Sequence, residues 1–120
     1  MITELNTIED FTLLLLFHMA HVDGSIHPNE RDTILERMKT MFPDDPAIDQ
    51  KAMSIEKEYS SLGDLRAENL LKESMLKFNN VDGSKKREIY SALFDIINAN
   101  GKVNQEETQV LRLFKDWLTD

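Results

Sequence analysis

Phe11-Thr12-Leu13-Leu14-Leu15-Leu16-Phe17-His18-Met19-Ala20-His21-Val22 runs without a charge for twelve residues between Asp10 and Asp23. At 3.6 residues per turn, four consecutive leucines cover every side of a helix. A helix that is apolar all round is a buried one. The stretch therefore predicts a central helix on which the rest of the chain packs. Two other readings of the run fail. A secretory leader carries a positive n-region, yet Glu4, Glu9 and Asp10 come first and the first Lys or Arg is Arg31. A membrane span needs to cross ~30 Å of hydrocarbon, and twelve residues of helix reach only about 18 Å. The expected compartment is the cytoplasm.

Outward from this helix the apolar period stays helical. The first helix should start after Asn6 or Thr7 and end near Val22, where Asp23-Gly24 breaks it. Pro28 suits the first position of a second helix, whose face is Ile34, Leu35, Met38, Met41 and Phe42. Pro43-Asp44-Asp45-Pro46 ends it, with Asp45 expected to cap the next helix. That third helix carries Ile48, Ala52, Ile55, Tyr59 and Leu62, stepping by four and three, and Gly63 closes it. A fourth spans about Leu65 to Phe78, with Leu65, Leu71, Met75 and Phe78 inward. The fifth follows a Ser84 cap and buries Ile89, Leu93, Ile96 and Ile97. The sixth follows Asn104 and buries Val110, Leu111, Phe114, Trp117 and Leu118. The expectation is one all-α domain over residues 1–120, a compact bundle of six helices.

Composition sets the chemical limits. Of 120 residues, 41% are hydrophobic and 30% charged, the mix of a globular domain rather than a disordered one. With no cysteine, disulfides, Cys-ligated zinc and thiol nucleophiles are excluded. A net charge of −8 disfavours nucleic acid and anionic membranes. Residues 1–30 hold five acids and no Lys or Arg, an imbalance that would draw cations or a basic protein partner. Lys85-Lys86-Arg87 is too short a basic run for nucleic acid and reads as a solvated first turn.

The two ends of the chain repeat weakly at an offset of 77 residues, while the downstream stripes from Ile34 and Val110 match better at 76, which would pair Glu30 with Glu106. Ala20-His21-Val22-Asp23-Gly24-Ser25-Ile26-His27-Pro28-Asn29-Glu30 lines up with Ile97-Asn98-Ala99-Asn100-Gly101-Lys102-Val103-Asn104-Gln105-Glu106-Glu107. Each copy is an apolar helix, a turn of form Asp/Asn-Gly-x-Ile/Val, and a second helix with Glu in its first turn. The layout predicts two pseudo-twofold helix–turn–helix halves joined by a middle helix pair.

This constellation resembles the TerB-like family of tellurite-resistance and stress-associated bacterial proteins, whose halves each carry Ala-x-x-Asp-Gly-x-Ile-x-x-x-Glu. The first copy matches that pattern fully. The second departs from it at Ile97 and Asn100. The resemblance implies a cytoplasmic helical binding domain whose clustered carboxylates hold a divalent cation, with no established activity. It also implies a unit that recurs as a module within larger proteins, co-chaperones among them.

Two readings of the turn residues stand side by side. In one, Asp23-Gly24 stops a helix while Glu30, and Glu107 in Asn104-x-x-Glu107, reach back as capping-box acids. In the other, Asp23, Glu30, Asn100 and Glu107 also ligate a hard cation, Ca²⁺ or Mg²⁺. A calcium loop of the EF-hand type is disfavoured, because its first and third ligand positions would be Met19 and His21, and Ile96 and Asn98 in the second copy. His18, His21 and His27 fall within ten residues, and a zinc or nickel enzyme built on them is a weaker alternative. No nucleophile–base–orienter set is placed by spacing. The expected function is a non-catalytic binding module, and a purely structural interaction domain is its rival.

Overall fold

The computed structural model describes residues 5–21, 26–99 and 105–119, and every regular element among them is an α-helix. In chain order they are α1 Ile8–His21, α2 Pro28–Met41, α3 Ile48–Leu62, α4 Asp64–Lys77, α5 Gly83–Ala99 and α6 Gln105–Thr119. The all-α expectation holds, and helix ends fall within two residues of those the sequence predicts.

The first helix is the axis. Thr7 starts it, its Oγ1 accepting the Asp10 N–H at 3.1 Å. From Phe11 to Ala20 every residue is buried, and α1 touches each of the other five helices. Burying a leucine or phenylalanine side chain contributes roughly 1.5–3 kcal/mol, so this segment supplies a large part of the core. Its one hydroxyl is satisfied inside the helix, Thr12 Oγ1 donating to the Ile8 carbonyl at 2.7 Å. Alongside lies α5, and both α2 and α6 touch α1 and α5 together. Two helix–turn–helix halves related by an approximate twofold would pack in this way. The α3–α4 pair covers another side of α1.

Phe11 joins the two ends of the chain. Its ring sits 5.6 Å from that of Phe78 and 5.1 Å edge-on from that of Trp117. Trp117 Nε1 in turn donates to the Met75 carbonyl at 2.9 Å. Gly63 ends α3 with φ at +83°, a left-handed backbone that favours glycine.

Four local expectations are corrected. The inward face of α4 is Ala67, Leu70, Leu71 and Ser74, while Leu65 is 71% exposed. Ser74 can be buried because its Oγ donates to the Leu70 carbonyl at 2.8 Å. At the start of α5 the acceptor is Asp82, not Ser84; Asp82 takes the Ser84 N–H at 3.2 Å and the Ser84 hydroxyl at 3.0 Å. Asp45 lies two residues before the α3 cap position, Ala47, whose N–H it accepts at 2.9 Å. Finally, the first two residues of the Lys85-Lys86-Arg87 run turn inward. Lys85 Nζ donates to the carbonyl of Met41, the last residue of α2. Lys86, only 4% exposed, donates to the Asn79 carbonyl at 3.2 Å and lies 4.7 Å over the Trp117 ring. Cations placed on carbonyls that no helical N–H reaches offset the negative end of a helix.

Two leucine truncations separate the buried axis from the surface. Leu15→Ala should cost about 2–5 kcal/mol, whereas Leu76→Ala, at a side chain 84% exposed, should stay within about 0.5 kcal/mol. Urea denaturation of both variants makes the comparison, and equal losses would contradict a central α1.

Candidate functional site

Pro28 opens α2 at its first position, and His27 precedes it with an extended backbone as the N-cap. Glu30 is thus the third helical residue, as the sequence predicts. Its Oε1 accepts the His27 N–H at 2.9 Å, the reach-back half of a capping box. Glu107 is likewise the third residue of α6. Both glutamates are 0% exposed. Most capping acids sit at the surface, because taking a carboxylate out of water costs several kcal/mol unless it is held by donors or a cation. Here two carboxylates at matching places in the repeat are both inside. The positive ends of α2 and α6 lower that cost.

Asp23 and Asn100, the two turn residues expected beside these glutamates, lie outside the described residues, as does Asn104, the expected cap of α6. The side chain of Leu118 is also outside them. Among the described residues no three His, Asp or Glu side chains gather in a way that would hold a metal ion.

The histidines are placed for another task. His18 and His21, one turn apart on α1, flank the Tyr59 ring of α3, at 5.9 Å and 4.9 Å between ring centres. His18 Nδ1 is 2.7 Å from the Tyr59 hydroxyl, which donates to Asp64 Oδ1 at 2.7 Å. An ionised Asp64 only accepts, so the single phenolic proton goes to it. His18 must then carry its hydrogen on Nδ1 and donate to the phenol oxygen. The result is a directed chain from His18 through Tyr59 to Asp64. His21 Nδ1 lies 3.4 Å from the same Asp64 oxygen, within ion-pair range but without hydrogen-bond geometry. His27 serves the start of α2. Among the described residues the three do not gather into a metal-holding group.

Burial holds the His18 imidazole below its usual range, against the pull of the Asp64 and Glu68 carboxylates. Burial and the hydrogen bond to Asp64 push the Tyr59 phenol up. Tyr59 and Asp64 belong to no sequence motif, because they come from α3 and α4. The one usable signal is a tyrosine on an apolar stripe, since a buried hydroxyl needs a partner.

Two measurements follow. Tyr59→Phe strips the buried His18 donor of its acceptor and should cost about 1–3 kcal/mol in denaturant melts. The imidazole pKa is lower in the folded chain than in the unfolded one. The unfolded chain therefore binds more protons below about pH 6.5, and folding stability should fall as pH drops from 7 through that value. His18→Gln should flatten this slope, and an unchanged slope would contradict it.

No helix among the described residues is long and apolar enough to cross a membrane. No curated protein and no solved structure gives a match to the chain. A family model does, that of the tellurite resistance protein TerB, over residues 9–119. That span takes in all but the first residue of α1, every other helix, and both turns of the repeat. With the bundle and the paired glutamates it places this chain in the TerB family.

Proposed function

We propose that the chain is a non-catalytic, cytoplasmic binding module of the tellurite-resistance and stress-response kind. In this reading Glu30 and Glu107, with Asp23 and Asn100 from the preceding turns, hold one divalent cation between the two halves. The observation that supports it most is the complete burial of both glutamates at equivalent places in the repeat. A cap alone needs one carboxylate oxygen near a backbone N–H and no burial. A cation coordinated by both acids would offset the cost of enclosing them. The donor set is carboxylate and amide oxygen, which suits Ca²⁺ or Mg²⁺ rather than a soft metal. His18 and His21 are turned to Tyr59 and Asp64, which leaves oxygen as the chemistry on offer. With Asn100 in place of an acid the site is asymmetric and its affinity modest.

Thermal melts of wild type and Glu30→Ala, with and without Ca²⁺ or Mg²⁺, test the reading. Cation at about 100 times its Kd should stabilise the wild type by ~2.7 kcal/mol and the variant far less. Glutamates that only cap would give a wild-type curve unmoved by millimolar Ca²⁺, Mg²⁺ or Mn²⁺. Even then, Glu30→Ala would cost about 0.5–2 kcal/mol through the lost cap.

A further inference from the structure

The turn between α2 and α3 is more than a helix stop. Phe42, Pro43, Asp44, Asp45 and Pro46 join Met41, Glu9 of α1 and Lys51 of α3 around an open cleft of about 390 Å³. Met41, Phe42 and the two prolines give it an apolar side, and Glu9, Asp44, Asp45 and Lys51 a polar one. Their shape is fixed in advance. Each proline locks one backbone angle, and the turn closes through the Asp45 N–H on the Phe42 carbonyl at 3.2 Å.

The charges in the cleft are unequal. Three carboxylates face one ammonium, and that ammonium is already committed, Lys51 Nζ lying 2.5 Å from Asp45 Oδ2. Asp45 is held further by the Ala47 N–H, and these two donors keep its carboxyl below the usual range. Glu9 and Asp44 make no hydrogen bond or ion pair among the described residues. Glu9 does act on Lys51 through space, as does Asp10. One face of Phe42 is taken by Lys85, 4.8 Å from the ring centre. That lysine is directed to the Met41 carbonyl and to Glu88, so it leaves the Glu9 and Asp44 carboxylates uncompensated.

An apolar wall with two uncompensated carboxylates complements a long side chain that is hydrocarbon along its stem and cationic at its tip. A bare divalent cation is a poorer occupant, since it needs six or more oxygen ligands, and Asp45, one of the three carboxylates, is already held by Lys51. We propose that this cleft docks a basic segment of a partner protein. One arginine or lysine side chain lies along Phe42, Pro43 and Pro46, with its charge at Glu9 and Asp44. None of the cleft residues belongs to the proposed cation site, so the two ideas stand or fall separately.

The test is an NMR titration of the ¹⁵N-labelled full chain with a capped peptide carrying two central arginines. The control peptide carries citrulline, which keeps the shape and loses the charge. Saturable shifts at the Phe42, Asp44, Asp45 and Ala47 amides are expected, about tenfold weaker with citrulline or in Glu9→Gln/Asp44→Asn, and weaker at raised salt. Glu73→Gln, a charge change at an exposed residue of α4 that does not line the cleft, should leave the affinity as it is. No saturable shift, equal binding of the citrulline peptide, or undiminished binding by the double variant would each overturn the proposal. So would Ca²⁺ alone saturating these amides while the peptide does not.

Discussion

A helix with no polar face can be stable in water only if protein covers all of it. α1 is such a helix, with every residue from Phe11 to Ala20 buried. Covering it takes the other five helices, each of which touches it. This requirement orders the bundle. It sets α5 alongside, places α2 and α6 against both, and brings α3 and α4 onto another side. First-turn glutamates, Glu30 of α2 and Glu107 of α6, stand at matching places in the helices that follow α1 and α5.

The same constraint makes the few polar atoms on α1 consequential. Thr12 satisfies its hydroxyl within the helix. His18 reaches out of α1 to the phenol of α3, which passes the hydrogen-bond chain to Asp64 at the start of α4. A leucine at His18 would bury as well but would fix no register. A directed chain through one phenolic proton accepts only one arrangement of α1, α3 and α4. Lys85 and Lys86 do similar work from α5, where they cover the Met41 and Asn79 carbonyls.

What could be read from the chain follows from which signals are local. The helices, the Gly63 stop and the first-turn place of Glu30 rest on period and caps, and these are properties of neighbouring residues. The inward face of α4 departs from the hydropathy pattern because Leu65 is more hydrophobic than Ala67 or Ser74, yet lies exposed. Small residues are what a helix presents where it must approach another closely, and hydropathy does not rank them. The inward turn of Lys85 and Lys86 depends on where α2 and α4 end in space, which no local pattern records. For the candidate site, the repeat pairs Glu30 with Glu107. Their burial is a consequence of packing, as is the meeting of His18 with Tyr59. The α2–α3 turn announces itself only as prolines and acids. Glu9, more than thirty residues earlier, enters its cleft through the fold.

The central claim is that two half-motifs, far apart in the chain, act as a single cation site. Titrating the ¹⁵N-labelled protein with Mn²⁺, a paramagnetic ion that broadens nearby amide signals, addresses it directly. One site predicts that Arg31 and Thr108, next to Glu30 and Glu107, broaden together and are complete at one equivalent. Broadening at only one of them, or at surface acids such as Asp44 while both stay sharp, would contradict it.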